Sequence, residues 1–237
     1  MLEVGRLDGR IALITGASRG LGAALAERFA EEGARLILVA RTAGGLEEVD
    51  DRVRALGAEA TLVPQDLTQG EAIDELGGVL AQRFGRLDVL IGNAAEQSAL
   101  SPLAHTDPKA FEQTLAINTI TNYRLIRSLD PLLRASPSGS AMFVTADVGA
   151  APRAYFGAYA ASKAALESLV MTYAAETTKT NLRVNLVDPG PMRTRLRAKA
   201  YPGEDKAKLA LPADRTDLFV DLAEADSTRH GERIDAC

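Results

Sequence analysis

Tyr159 and Lys163 stand four residues apart in Tyr159-Ala160-Ala161-Ser162-Lys163, and positions i and i+4 share one face of a helix. A lysine ammonium beside a phenol favours the phenolate. The pair therefore predicts a tyrosine pKa below its usual value of about 10, and a general acid or base. The plainer alternative for such a pair is a surface contact along a helix. The second chemical feature lies far upstream, in Thr15-Gly16-Ala17-Ser18-Arg19-Gly20-Leu21-Gly22, between an apolar run from Ile11 to Ile14 and an alanine-rich helical pattern from Leu21. A buried strand, a glycine turn and a helix N-terminus in that order make an anion site, because free backbone N–H groups and the positive end of the helix dipole converge there. Gly16 is expected to permit the tight turn, Gly20 to let backbone approach a pyrophosphate, and Gly22 to let helix and strand lie close. The turn predicts a bound nucleotide.

The elements that must position these features alternate along the chain. Strands are expected at Ile11–Ile14, Arg35–Ala40, Ala60–Pro64, Leu87–Ile91, Ser140–Thr145, Leu182–Val187 and, shorter, Arg233–Ala236. Helical patterns fill the gaps: from Leu21, at Leu46–Leu56, about Glu71–Phe84, a long region from Asp107-Pro108 to about Leu133 with a bend near Asn118, and about 157–178. Alternation of this kind predicts an α/β fold: a single Rossmann-type domain over 1–237, with a doubly wound parallel sheet of about seven strands and helices on both faces.

The spacing Gly-x-x-x-Gly-x-Gly after Thr15, with Tyr159 and Lys163 downstream, resembles the classical short-chain dehydrogenase/reductase family, and the resemblance runs from the first strand to Gly231-Glu232-Arg233-Ile234-Asp235. It implies an oxidoreductase that moves hydride between a nicotinamide cofactor and a carbonyl or alcohol. Tyr159 would then be the acid/base and Lys163 the partner that holds the nicotinamide ribose. Asn118, in Ala116-Ile117-Asn118-Thr119, would anchor a water beside the lysine, although a capping or bend residue reads the same way. Gly92-Asn93-Ala94-Ala95 matches the family's Asn-Asn-Ala-Gly at Asn93 and Ala94 alone. Pro189, Gly190, Met192 and Thr194 resemble the segment that covers the nicotinamide, and residues 193–213 the substrate lid. The lid's cations suit either an anionic substrate or a solvated flap. The family's closing Asp-Gly-Gly is missing.

Arg41 ends the second strand, where NAD binders carry an acidic residue for the ribose. With Arg19 in the turn, two cations suit a 2′-phosphate, so NADP is expected over NAD; two solvated arginines are the alternative. Asp66 and Leu67, past the third strand, match the family's adenine contact, and Asp66 could equally cap a helix. The family serine lies thirteen residues before the tyrosine, and that count reaches Ala146. If the strand continues there, alternation turns Thr145 and Asp147 away, so either can compensate only where the chain bends. A non-catalytic NADP-binding protein, or epimerisation or dehydration on the same scaffold, are the competing readings.

Composition narrows the partners. The chain of 237 residues has a net charge of −5, which argues against nucleic acid. No apolar run approaches the roughly 20 residues of a membrane span, and the N-terminus has no secretory pattern. Its one cysteine is Cys237, consistent with a reducing, cytoplasmic setting. No metal cluster is indicated, the expected partner is a small-molecule carbonyl or alcohol, and a homodimer or homotetramer is expected through the long helices, where Ala158, Ala160, Ala161, Ala164 and Ala165 permit close approach.

Overall fold

Seven parallel strands run in the order β3-β2-β1-β4-β5-β6-β7 in the computed structural model, which describes residues 5–236. They are β1 (Ile11–Thr15), β2 (Arg35–Ala40), β3 (Ala60–Pro64), β4 (Val89–Gly92), β5 (Ser140–Val144), β6 (Arg183–Asp188) and β7 (Arg233–Asp235). Helices α1 (Gly20–Glu31), α2 (Ala43–Ala55), α3 (Gly70–Phe84), α4 (Pro108–Leu115) and α5 (Thr121–Ala135) precede β5. After it come α6 (Asp147–Ala150), α7 (Gly157–Thr177), α8 (Arg195–Ala200) and α9 (Asp217–Ala223).

A strand covered on both faces needs apolar residues at every position, and β1, β4 and β5 are buried throughout. Successive side chains then divide between two cores. Ala12, Ile14, Leu36 and Leu38 face α1, α2 and α9. Leu13, Ile37, Val39 and Leu90 face α3, α5 and α7. The fold class expected from the sequence is the one observed, and strand ends move by two residues at most.

The long helical region from Asp107 is where local chemistry shows best. Asp107 caps α4 by accepting from the Ala110 N–H at 3.1 Å, with Pro108 in the first turn. The expected bend is a π-helical turn at 116–120, which interrupts the helix and turns Asn118 fully inward. The short helices α6, α8 and α9 carry too few turns for periodicity to show. Ala158 and Ala160 are buried within the fold, whereas Ala161 and Ala164 face outward, so the alanine-rich stripe serves core and surface at once. Cys237 lies outside the described residues.

Close approach fixes the start of α1. A Cβ on Gly22 would fall 2.4 Å from the Gly16 carbonyl oxygen and 2.7 Å from Asn93 Nδ2, so backbone, not a flexible side chain, would have to move. Gly22→Ala is expected to destabilise the protein by about 1–3 kcal/mol, the usual range for overpacking, and urea unfolding of the two proteins measures it.

Candidate active site

The glycine turn is tied to the end of β4 by one hydroxyl. Thr15 Oγ1 donates to the Ile91 carbonyl at 3.2 Å and accepts from the backbone N–H groups of Asn93 and Ala94, each at 3.0 Å. Asn93 answers by donating Nδ2 to the Thr15 carbonyl at 2.8 Å. Gly16, at φ +65°, leaves room for this crossing, because a Cβ there would stand 2.9 Å from Ala94 Cα. Asn93 is therefore a brace between two strand ends.

A cavity of about 700 Å³ opens over these strand ends. Ser18, Arg19, Gly20, Leu21, Arg41, Asp66, Leu67 and Ala94 line it from one half of the sheet, and Pro189, Gly190, Met192 and Thr194 from the other. Gly22 stays behind the turn. Arg19 and Arg41 are exposed, and neither forms an ion pair among the described residues. Asp66 does not cap α3, which begins at Gly70 behind Gln69. Its Oδ1 instead accepts from the N–H and hydroxyl of Thr68 at 2.9 and 2.8 Å, and these bonds, with Arg41 nearby, hold its carboxyl below the usual range. Thr194 Oγ1 accepts from the Arg197 N–H as the cap of α8, which leaves the hydroxyl proton free to be donated.

Tyr159 and Lys163 lie on the first turns of α7 and are 8% and 2% exposed. Lys163 Nζ donates to the Val144 carbonyl, at the end of β5, at 2.7 Å. It stands 5.7 Å from the centroid of the Tyr159 ring. Burial pushes the Lys163 ammonium down to about 8 against the pull of Asp188 and Glu167. The expected lowering of the tyrosine is corrected here. Burial first, then the charges of Asp188 and Asp147, push the phenol above its ordinary value. The lysine gives its hydrogen bond to backbone, and its charge does not offset that burial.

Asn118 does not line the cavity. Its Oδ1 accepts from the Glu96 N–H and its Nδ2 donates to the Glu96 carbonyl, both at 2.8 Å, and Nδ2 also reaches Ser162 Oγ at 2.9 Å. Both amide N–H groups and one lone pair of the oxygen are thus taken by protein, and the side chain fixes the segment after β4.

Ala146 is extended, and the chain bends immediately after it into α6. The bend supplies no substitute hydroxyl, because Thr145 Oγ1 donates to Glu167 Oε1 at 2.6 Å and Asp147 pairs with Arg153. Around them an apolar wall is built from Val148, Phe156 and Tyr159, with Leu196 and Tyr201 packed on it. The Phe156 and Tyr201 rings lie 5.9 Å apart.

Several residues at the site were missed in the sequence. Glu167 sits four residues past Lys163, a spacing that could have revealed it. Asp188 accepts from the Gly190 N–H at 3.0 Å and from Arg233 at 3.1 Å, a link that crosses β6 to β7 and has no local signal. Gln97, buried in the cavity wall, had none either. In residues 193–213, three of the six cations have partners: Arg197 forks onto Glu204 at 2.7 and 2.6 Å, Arg193 donates to the Lys206 carbonyl, and Lys199 to that of Gln97. Among the described residues no group of acidic, histidine and cysteine side chains could hold a metal. No described helix is long and apolar enough to cross a membrane.

Comparison with known proteins agrees with this geometry. The family model for short chain dehydrogenases matches residues 10–205. An uncharacterized oxidoreductase, YciK, of Escherichia coli K12 is 36% identical over 226 residues, which is 94% of this chain and 89% of that protein. A short chain dehydrogenase of Escherichia coli CFT073 complexed with NADPH superposes with a TM-score of 0.95 at 35% identity, covering 99% of each chain. One from Shigella flexneri 2a complexed with NADP gives 0.95 at 34% identity, again over 99% of each. The match covers most of the chain in sequence and nearly all of it in structure, and the chain belongs to the short chain dehydrogenase family of oxidoreductases.

Proposed function

We propose that this protein is an NADP(H)-dependent reductase of carbonyl compounds, with Tyr159 as the proton donor. The observation that carries this reading is the placement of buried Tyr159 and Lys163 in the same cavity as the glycine turn. That cavity suits a dinucleotide phosphate. The turn is held open by glycines where a Cβ would collide, α1 presents its N-terminus, and Arg19 and Arg41 are free for a 2′-phosphate. Two solved relatives that were complexed with NADP or NADPH support the same choice. Bound there, the cofactor supplies a hydride to a carbonyl carbon.

The chain's own residues handle the proton. Burial keeps the Tyr159 phenol protonated, so its O–H can be donated to a carbonyl oxygen as negative charge develops on it. The Lys163 ammonium, anchored on the Val144 carbonyl, keeps positive charge beneath the phenol and offers its remaining N–H groups to a ribose hydroxyl. Asn118 acts at one remove, through Glu96 and Ser162. Ala146 gives the reacting oxygen no hydroxyl, and a missing preorganised donor typically lowers turnover about 10²- to 10³-fold. The reaction is accordingly expected to be slow. Assembly as a homodimer or homotetramer fits the exposed Ile120, Tyr123 and Met171 on and beside α5 and α7, and sedimentation equilibrium reads it.

NADPH oxidation with a panel of activated dicarbonyl compounds tests the reaction. Tyr159→Phe is expected to abolish turnover and Ala146→Ser to raise it about 10- to 100-fold, somewhat under the full value of such a donor. NADPH binding without consumption by either protein or the wild type would replace the reductase with a nucleotide-binding protein.

Cofactor choice is tested separately, by fluorescence titration of NADPH and NADH. Replacing Arg41 by Asp is expected to weaken NADPH about 10- to 100-fold, the worth of one or two charge-assisted hydrogen bonds, and to leave NADH unchanged or tighter. Equal losses for both would remove Arg41 from phosphate recognition.

Lys163 gives a pH test. Its pKa falls from 10.5 to about 8 on folding, so between those values the unfolded chain binds more protons and stability rises with pH. Comparing wild type with Lys163→Met in urea, the wild type is expected to gain relative stability from pH 8 to 10.5 and to change little between pH 6 and 7.5. A flat difference across the upper window would place the ammonium in contact with water.

A further inference from the structure

Four buried side-chain atoms among the described residues have no hydrogen-bond partner: Arg10 Nε, Asp50 Oδ1, Gln97 Nε2 and Arg215 Nε. Of these residues, Gln97 alone lines the cavity that contains Tyr159, Lys163 and Ala146. It is 3% exposed. A buried donor without an acceptor is costly, and one in a cavity wall is placed where a ligand can complete it.

The segment that carries Gln97 is held on both sides. Asn118 brackets Glu96 through its backbone N–H and carbonyl, and Lys199 of α8 donates to the Gln97 carbonyl at 2.6 Å. A side chain on so constrained a backbone is a placed group. The cavity that it lines also carries the apolar side chains of Val148, Phe156 and Tyr201, and in a low-dielectric setting one directed hydrogen bond is worth more than in water. Ala146, meanwhile, offers no donor.

We propose that Gln97 is a substrate-binding residue whose Nε2 donates a hydrogen bond to an acceptor oxygen of a carbonyl compound with an apolar, aromatic body. The inference rests on the reductase reading for the reaction it serves, but the binding it describes is measurable without turnover. Within that reading, Gln97 gives the substrate a second polar contact beside Tyr159, and Lys199 ties that contact to the lid.

Isatin, a planar aromatic dicarbonyl, is a suitable probe. Calorimetric titration of isatin into NADP⁺-saturated protein gives its dissociation constant, and NADPH oxidation at varied isatin gives KM and kcat. Gln97→Leu keeps the bulk and removes the amide; it is expected to raise the dissociation constant and KM about tenfold, with NADPH affinity unchanged. Gln97→Glu keeps the shape and turns the donor into an acceptor, so it should weaken isatin at least as much, and it carries the comparison if the leucine variant fails to fold. Wild-type protein that binds isatin and leaves NADPH unconsumed would remove the reductase reading while the dissociation constants still decide the role of Gln97. Unchanged isatin affinity in the variants, or no isatin binding by the wild type, would overturn the proposal.

Discussion

The structure depends on the reversal of strand order between β1 and β4. From β1 the sheet grows one way through β2 and β3, and from β4 the other way through β5, β6 and β7. Loops leaving the carboxyl ends of the two central strands must diverge, and the crevice between them is where ligands bind in open α/β sheets. The width of that crevice is set by Thr15. Its hydroxyl serves as donor to β4 and as acceptor for two N–H groups beyond it, while Asn93 closes the link to the Thr15 carbonyl. Gly16 and Gly22 are small because this crossing leaves no room for a Cβ. The cofactor turn is thus a consequence of how two strands are joined.

On the far side of the crevice a buried cation organises the charges. Lys163 is nearly inaccessible and has one backbone acceptor, which alone would be a poor environment for an ammonium. Asp188 and Glu167 supply the opposing charge, and both are held by Arg233. The three-residue β7 therefore does more than extend the sheet, since it carries the arginine that fixes the two carboxylates. Asp188 remains above its usual carboxyl range because its burial outweighs the pull of Arg233. Each charge near Tyr159 is fixed in place, and the phenol is left protonated among them.

Much of this was legible in the sequence for a physical reason. Strands buried on both faces read as unbroken apolar runs, so Arg35–Ala40 and Ser140–Val144 could be placed almost to the residue, and the turn glycines announced a local steric need. The i, i+4 spacing of Tyr159 and Lys163 likewise placed both on one helix. What escaped was long-range. The direction of the Tyr159 shift depends on how deeply α7 is buried and on Asp188 from another strand. Asn118 stood out by position, yet its partners, Glu96 and Ser162, come from segments that no spacing rule connects. The helices α6, α8 and α9 are too short to show a period.

The substrate side follows a different logic from the cofactor side. The residues proposed for the cofactor fall on strand ends, where the sheet dictates position. The residues proposed for the substrate fall on or near α6, α8 and the segment after β4, which are short, irregular and held by side chains. Ala146 and Asp147 show the consequence: the backbone turns at the end of β5, Ala146 carries no hydroxyl, and the neighbouring carboxylate is paired with Arg153. A donor missing at a reacting oxygen can be offset only by binding that tightens as the oxygen gains charge. On the proposed reading that requirement falls on Tyr159, whose proton is retained by burial, and on the polar groups beside the apolar wall. Hence the same desolvation that raises the phenol's pKa also strengthens the hydrogen bonds made beside it. On the proposed reading, the wall formed by Val148, Phe156 and Tyr201 acts through the dielectric that it sets for the donors of this cavity.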